Sequence, residues 1–157
     1  MHVVLIEPEI PWNTGNIGRT CVATGTTLHL VGKLGFSLES KYIRRSGLDY
    51  WPKLKFKRHA DFESFLACLP PKASLLFFST KAKRSFWDAP YQKNSYLVFG
   101  KETAGLSADI RQRFQDRLYR IPMRRGIRSL NLSTAGAVVL YEALRRRAYR
   151  KGDKTIV

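Results

Sequence analysis

The 157-residue sequence has few of the residues from which disulfide frameworks and metal sites are built. Its two cysteines, Cys21 and Cys68, are far apart in apolar surroundings, which predicts two buried thiols in a reducing compartment. The histidines, His2, His29 and His59, are scattered singly along the chain, so we expect no histidine-based metal site. They also lack the motif context of a Ser/His/Asp catalytic set.

Long apolar runs and a targeting segment are missing as well. The longest uninterrupted apolar stretches, such as 75–78 and 137–140, are far shorter than the roughly 20 residues that a membrane helix needs. The first six residues lead directly to Glu7, without a basic segment or a small-residue cleavage site. We therefore expect no secretory signal and no membrane partner, and a cytoplasmic location.

Acidic residues are scarce relative to basic ones. Twelve Asp and Glu stand against 28 Lys and Arg, and the formal net charge is +16. Such a surplus favours a polyanionic partner, nucleic acid ahead of an acidic membrane surface, although a merely soluble basic protein is the simpler alternative. The content of 44% hydrophobic and 25% charged residues is typical of a globular chain, so residues 1–157 are expected to form a single domain.

Strand-like and helix-like segments alternate along the chain. Short apolar or β-branched runs predict strands at 2–6, 27–31, 54–57, 74–78, 95–99 and 118–121. Capping residues and apolar periodicity predict helices that begin near Asn13 or Thr14, at 40–46, after Asp61, after Ser107, and from 131 or 132 to about 150. The intervening segment 81–93 is predicted to be a long polar loop.

This alternation predicts an α/β fold, with a mostly parallel sheet and helices on both faces. Ligands of such sheets bind outside the carboxyl ends of the strands. The loops after four predicted strands begin at these ends, and we expect them to converge on one site. These strands are 2–6, 74–78, 95–99 and 118–121.

Two of these loops are rich in glycine. The segment N-T-G-N-I-G-R at 13–19 opens a helix, whose free N–H groups suit an anion, and Arg19 is placed to reach a phosphate or a ribose hydroxyl. In F-G-K-E-T-A-G-L at 99–106, Gly100 allows a ligand close to the backbone, and Glu102 is suited to accept hydrogen bonds from loop N–H groups or an amine. Read alone, either segment is also an ordinary helix start or turn.

The third loop, I-P-M-R-R-G-I-R-S-L-N-L-S at 121–133, is basic. Its hydroxyl and amide side chains suit a polar small molecule or a hydroxyl nucleophile, and Asn131 or Ser133 is also suited to cap the following helix. No pair of acids stands out for glycoside hydrolysis. Methyl transfer from an activated sulfonium fits this inventory, because alignment and desolvation supply much of its catalysis.

In combination, these motifs resemble those of the SPOUT class of RNA methyltransferases, and within it the TrmL (YibK-like) tRNA ribose methyltransferases. The resemblance extends over essentially the whole chain, from E-P-E-I-P at 7–11, through R-R-S-G-L-D-Y at 44–50, to V-V-L-Y-E-A at 138–143. It implies a homodimer and a SPOUT-like fold with a C-terminal trefoil knot. The implied reaction is 2′-O-methylation of a tRNA ribose at the wobble nucleoside, a cytidine or a modified uridine.

The resemblance also implies S-adenosylmethionine as methyl donor, without a metal, held in a bent form by loops of the knot. The cofactor-binding positions that match the family are Phe78, Gly100, Ile121, Met123, Ser129 and Leu130. Arg19 matches the arginine of the family's first motif, which is often assigned as the base for the 2′-hydroxyl. A guanidinium stays protonated in proteins, so our hypothesis is that Arg19 positions phosphate and stabilises the developing alkoxide. Asn131 and Ser133 are expected to orient the ribose.

RNA is expected to be gripped by the catalytic domain itself, across the dimer. The principal candidates are Arg44, Arg45, Arg124, Arg125 and Arg128, with Lys53, Lys55, Lys57, Lys81, Lys83 and Arg84 beside them. Trp51, Trp87 and Tyr91 are candidates for stacking on bases or, equally, for burial in the core. Trp12 and the basic R-R-G at 124–126 depart from the usual family pattern and bear on which RNA is accepted. The alternative functions are the same chemistry on ribosomal RNA and a non-catalytic RNA-binding protein of the same fold.

Overall fold

The computed structural model of the protein describes residues 1–38 and 50–151, so the predicted helix at 40–46 lies outside the described residues, as do Arg44 and Arg45. The strands in the described part are β1 (His2–Ile6), β2 (Thr27–Val31), β3 (Phe56–His59), β4 (Ser74–Phe78), β5 (Arg84–Ser85), β6 (Ser95–Phe99) and β7 (Leu118–Arg120). The helices are α1 (Pro11–Ala23), α2 (Phe62–Ala67), α3 (Ala108–Arg113) and α4 (Leu132–Lys151).

The strands form one sheet in the order β3-β2-β1-β6-β4-β7-β5, and each pairing between neighbours is parallel. The chain runs outward from β1 to β3 on one side and then builds the other side from β4 onward. The strand order therefore reverses between β1 and β6, where an open α/β sheet leaves a crevice at its carboxyl edge. The predicted parallel sheet is confirmed.

Helices cover both faces of the sheet, as predicted. On one face α1 and α4 pack against the strands, and Ile17, Cys21 and Leu140 are almost completely buried there. On the other face α2 and α3 pack against a second cluster around Phe65, which has no exposed surface. Full burial of one such aromatic side chain stabilises the fold by roughly 2–3 kcal/mol. Two apolar layers therefore hold the sheet and leave its carboxyl edge free for a site.

Helix α1 begins earlier than predicted. Its first residue is Pro11, and the preceding Ile10 makes no side-chain capping bond. Proline suits the first helical position, because its φ angle is preset and its missing N–H would have no partner there. The predicted caps, Asn13 and Thr14, are instead buried inside the helix. Two further predicted caps are confirmed here: Asp61 Oδ1 accepts from the backbone N–H of Ser64 at 2.7 Å, and Ser107 Oγ caps α3.

The predicted loop at 81–93 is partly ordered into regular structure. It contains β5, which pairs with β7 at the sheet edge, and a 3-10 turn at Phe86–Asp88. Tyr91 is buried and its hydroxyl donates to the backbone oxygen of Phe86 at 2.8 Å, so this ring belongs to the core. Trp87 is exposed and Trp51 is partly buried against the core.

The prediction of two buried thiols was half wrong. Both cysteines are free, and Cys21 is buried, but Cys68 is exposed. Cys68 directly follows the last residue of the short helix α2. Among the helices in the described part, none combines the length and apolar character that crossing a bilayer requires.

The histidines, scattered in the sequence, form a row in space. They lie on the adjacent strands β1, β2 and β3 and project to one face. His2 Nδ1 lies 3.0 Å from His29 Nε2, and His29 Nδ1 lies 2.9 Å from His59 Nε2. Their spacing in the sequence does not predict this row, because the parallel register brings distant parts of the chain side by side.

Candidate active site

The loops that follow β1, β4, β6 and β7 meet in one cavity at the carboxyl edge of the sheet. Its volume is about 610 Å³, which suits a ligand the size of a cofactor. Each loop contributes to the lining, for example Asn13, Ser79, Gly100 and Leu130. This confirms the expected convergence of the four loops on one site. The convergence follows from the strand order, which brings the carboxyl ends of these strands together.

The six residues predicted to hold a cofactor all line this cavity: Phe78, Gly100, Ile121, Met123, Ser129 and Leu130. The rings of Phe78 and Phe99 stack with centroids 5.1 Å apart and form an apolar wall. Lys81 and Arg128 also line the cavity. The cavity therefore offers an apolar surface for a planar ring and cations for an acidic group.

The loop after β6 folds back sharply beside the cavity. Lys101 and Gly105 exchange two backbone hydrogen bonds, of 3.2 and 3.0 Å, and Gly105 has a φ of +67°. A Cβ atom on Gly100 would lie 2.1 Å from the carbonyl carbon of Gly105. Only glycine fits at position 100, because any side chain would force the two ends of this loop apart.

Glu102, at the tip of this loop, holds the start of α1. Its carboxylate accepts hydrogen bonds from the backbone N–H groups of Glu9 at 2.8 Å and Ile10 at 3.2 Å, and from the Asn13 amide at 3.1 Å. The first N–H groups of a helix have no partner within the helix, and a negative charge there also complements the helix dipole. The expectation that Glu102 accepts from loop N–H groups is confirmed.

An amide pair carries this network into the third motif. Asn131 Nδ2 donates to Asn13 Oδ1 at 3.0 Å. Asn131 Oδ1 accepts from the backbone N–H of Ser133 at 2.8 Å, from the Ser133 hydroxyl at 2.7 Å and from the N–H of Thr134. Asn131 therefore caps α4 and lines the cavity at once. Side-chain hydrogen bonds thus join the three motifs through Glu102, Asn13 and Asn131.

Two glutamates after β1 also bind the loop that follows β6. Their contacts are not predicted by the sequence. Glu9 Oε2 accepts from the Thr103 hydroxyl at 2.8 Å and its N–H at 3.0 Å, and these bonds lower the pKa of Glu9. Glu7 Oε2 lies 2.6 Å from Lys101 Nζ, and the backbone of Glu7 has a φ of +48°. The E-P-E-I-P motif was the available signal, but nothing local indicates its partners.

Of the three predicted catalytic residues, only Asn131 lines the cavity. Arg19 is exposed on α1, and the carbon at the centre of its guanidinium lies 4.8 Å from the centroid of the Tyr50 ring. Ser133 lies between the lining residues Leu132 and Ala135 but is not itself in the lining, and its hydroxyl donates to Asn131 Oδ1. The structure therefore does not bring Arg19 into the cavity of its own chain.

Of the predicted RNA-binding arginines in the described part, Arg128 lines the cavity and donates from Nη2 to the Thr103 backbone oxygen at 3.4 Å. Arg124 and Arg125 are exposed on the same loop and do not line the cavity. Within the described ranges, no cluster of three or more histidine, cysteine or acidic side chains is arranged to hold a metal ion.

The chain is similar to known proteins over nearly its whole length. A family described as the SpoU rRNA methylase family matches residues 1–141. A tRNA (cytidine(34)-2′-O)-methyltransferase of Burkholderia ambifaria is 43% identical over 96% of this chain and 98% of its own. The chain therefore belongs to the SpoU methylase family of α/β methyltransferases.

Solved structures show the same fold. One, described as structural insights into the 2-OH methylation of C/U34 on tRNA, has a TM-score of 0.91 and 43% identity, over 95% of this chain and 97% of its own. The SpoU methyltransferase AviRb from Streptomyces viridochromogenes, in complex with AdoMet, has a TM-score of 0.83 at 26% identity. It covers 95% of this chain and 61% of its own.

Proposed function

We propose that the protein methylates the ribose 2′-hydroxyl of the wobble nucleoside of tRNA, a cytidine or a modified uridine, with S-adenosylmethionine as the donor. The observation that carries this proposal is the cavity at the strand reversal, which all six matched cofactor residues line. The 43% identity to an enzyme named for cytidine 34 of tRNA supports the choice of RNA and nucleoside.

The residues of the cavity fit this donor. Phe78, Ile121 and Leu130 offer apolar surface to the adenine, and the glycine-only turn at Gly100 lets the ligand approach the backbone. Lys81 and Arg128 supply positive charge for the amino-acid carboxylate. When bound, S-adenosylmethionine supplies a methyl group activated by a positively charged sulfur, so the protein needs chiefly to align and desolvate the reacting atoms.

The ribose is held at the mouth of the cavity by the third motif. Asn131 is fixed by Asn13 and in turn directs the Ser133 hydroxyl, so both side chains are preorganised to orient the sugar. With the donor bound, a bond would form from the ribose O2′ to the methyl carbon while the bond from that carbon to the donor's sulfur breaks, which would leave a neutral thioether. The hydroxyl proton would pass to a phosphate oxygen or water. Arg19 keeps its proton and stabilises the negative charge that develops on O2′.

A pH profile of methylation by Arg19→Lys tests this role. We expect lysine to retain the charge but to lose the planar fork of donors, so the rate falls by about tenfold or more without a new pKa in the profile. The wild-type enzyme, assayed with the same tRNA and buffers, is the control. A near-wild-type rate with a new, lower pKa would mean that position 19 acts as a true base.

The exposed face of α1 and α4 supports a homodimer. The side chains of Trp12, Val138 and Tyr141 are 51%, 39% and 48% exposed on these neighbouring helices. Helices α1 and α4 pack closely at Gly136: a Cβ added there would lie 3.3 Å from the Ile17 side chain. Arg19 lies on the same exposed side of α1 as Trp12. We propose that a second copy covers this face and that Arg19 serves the cavity of the other protomer.

Complementation between two inactive variants tests the dimer. A mixture of R19A and a cavity variant, G100A, is expected to regain activity, because a mixed dimer contains one cavity with both an intact lining and an intact Arg19. Each variant alone, at the same total concentration, is the control. If the mixture stays inactive although sedimentation shows mixed dimers, Arg19 acts within its own chain.

We also propose a single domain, a trefoil knot and a cytoplasmic location. The continuous seven-stranded sheet of the described part and the family match over 1–141 support a single domain for residues 1–157. The fold shared with SpoU structures supports the trefoil knot that the resemblance implies. Two free thiols support a reducing compartment, and we place the reaction in the cytoplasm.

The decisive experiment incubates the protein with labelled donor and total tRNA that lacks the modification, followed by nucleoside mapping. We expect label in the 2′-O-methyl group of nucleoside 34. Label found only in ribosomal RNA would move the chemistry to that substrate. Tight donor binding with no label in any RNA fraction would identify a non-catalytic RNA-binding protein.

A further inference from the structure

We propose that one edge of the sheet forms a second RNA-binding surface outside the cavity. This surface, the edge strip, consists of Lys53, Lys55, Phe56, Lys57 and Arg58. This inference rests on the proposed function and extends it, because it identifies where the backbone of tRNA is held at a distance from the methylated nucleoside.

The charge of the strip is of one sign. Between positions 50 and 60 the sequence is Y-W-P-K-L-K-F-K-R-H-A, with four cations and no acid. All four cations are exposed. The ion pairs found in the described part of the chain join Glu7 to Lys101, Glu63 to Arg113 and Glu142 to Arg145, so these pairs include no cation of the strip. Four exposed positive charges without an acidic neighbour in the segment suit a polyanion.

The geometry of β3 places these charges around an open edge. Among the described residues this strand pairs only with β2, so its other side faces away from the described sheet. Successive side chains of a strand point to opposite faces, so Lys55 and Lys57 flank the edge on one face while Phe56 and Arg58 flank it on the other. A phosphate backbone that runs along the edge therefore meets cations on both sides.

An aromatic side chain lies among these cations. Phe56 is 39% exposed, and its ring centroid lies 5.6 Å from that of Trp51, which is partly buried. A large apolar ring left at the surface between cations is the composition of surfaces on which unpaired bases stack. The strip therefore offers contacts to an RNA base as well as to phosphates.

The strip is continuous with Arg19. The turn Trp51–Lys53 lies against α1, where a Cβ on Gly18 would be 3.1 Å from Leu54 and 3.4 Å from Trp51. Tyr50, which precedes this turn, carries the guanidinium of Arg19 over its ring. A tRNA whose target ribose is near Arg19 is thus able to extend directly along the edge strip.

Lysines on an edge strand have a second use, because they prevent edge-to-edge association of sheets. The two uses predict different results. Removal of edge protection increases self-association and leaves RNA affinity unchanged, whereas removal of phosphate contacts weakens RNA binding and reduces its salt dependence.

The experiment measures tRNA affinity against salt concentration for wild type, K53Q/K55Q and the matched control K72Q/K93Q. Lys72 and Lys93 are exposed and precede β4 and β6, at the opposite end of the strands from the cavity. For K53Q/K55Q we expect about a tenfold loss of affinity near 0.1 M salt and a salt slope smaller by about 1 to 2. The control is expected to behave as wild type. Donor affinity, which depends on the cavity, is expected to stay unchanged in both variants.

A second pair, K57Q/R58Q, repeats the test on the strand itself, and thermal unfolding verifies that each variant is folded. Affinity and salt slope equal to wild type in both strip variants would overturn the edge strip while leaving the methyltransferase proposal intact. Increased self-association with unchanged tRNA affinity would assign the lysines to edge protection and also overturn it. A wild-type protein that neither binds nor methylates tRNA would overturn the proposed function together with the strip.

Discussion

At the scale of single residues, Glu102 joins the loop after β6 to the start of α1. Its two carboxylate oxygens accept from two backbone N–H groups and one amide, all at the start of α1. Because these donors have no partner within the helix, the carboxylate satisfies groups that are otherwise costly to bury. The position of α1 relative to the cavity therefore depends on one acid from a loop about 90 residues later.

We predict that Glu102→Gln destabilises the protein and weakens donor binding. Glutamine has the same shape, but its NH₂ group faces N–H donors and cannot accept from them, which costs roughly 1–3 kcal/mol of the free energy of unfolding. Urea unfolding and titration with donor measure the two effects.

Glu63→Gln is the matched control. Glu63 pairs with Arg113 on the surface, with side chains 69% and 52% exposed, and such pairs contribute at most about 1 kcal/mol. If the two variants unfold at the same urea concentration, the network at α1 contributes no more than a surface ion pair.

At the scale of secondary-structure elements, the loop after β6 shapes the cavity by the absence of a side chain. The chain reverses between Lys101 and Gly105 so tightly that the Cα of Gly100 faces the Gly105 carbonyl. Both the reversal and the position of Glu102 at its tip depend on this contact.

We predict that Gly100→Ala abolishes donor binding, because the added methyl group would lie 2.1 Å from the Gly105 carbonyl carbon and would open the loop. Gly25→Ala is the control: Gly25 has a φ of +61° and no atom within 4 Å of an added Cβ, so the cost is about 1–2 kcal/mol of backbone strain. Calorimetric titration with donor compares them. A G100A protein that binds donor like G25A would contradict the proposed role of the loop.

At the scale of the whole molecule, the histidine row links three strands of the sheet. Burial, followed by the charges of the amino terminus and Lys57, lowers the pKa of His2 from 6.5 to about 4. Burial, followed by its two histidine neighbours and Lys57, lowers the pKa of His29 from 6.5 to about 3. Tyr96 from β6 and Phe65 from α2 pack on the row and add no charge at neutral pH.

We predict that stability falls on mild acidification. The folded protein keeps His2 and His29 neutral, whereas the unfolded chain binds protons at these residues below pH 6.5, so unfolding takes up protons between about pH 6.5 and pH 4. The stabilising contribution is complete above pH 6.5 and is lost progressively below it. Urea unfolding at pH 7.5, 6.5 and 5.5 measures the change, above the range in which most carboxylates titrate.

The variant His29→Gln, which removes the central member of the row, is expected to show a shallower pH dependence over the same range, even if it is less stable overall. A wild-type free energy of unfolding that stays constant from pH 7.5 to pH 5.5 would contradict the prediction.

The local pattern of the sequence determined most of the elements and the character of the site. Apolar runs located β1, β2, β4 and β6 at their observed bounds, because a buried parallel strand is recognisable from its own residues. The motif resemblance predicted six residues to hold a cofactor, and all six line the cavity. The charge excess, a property of composition alone, indicated a polyanionic partner.

Only the tertiary structure decided which distant residues meet. Glu102 reaches Asn13 and His2 reaches His29 because of strand order and register, which no local pattern encodes. The same holds for Arg19. The sequence predicts that Arg19 and Asn131 act in one catalytic site, but in the fold Arg19 lies on the exposed face of α1 with its guanidinium over the Tyr50 ring. Local propensity depends on neighbours a few positions away, whereas a site assembled from four loops depends on contacts between residues that are far apart in the chain.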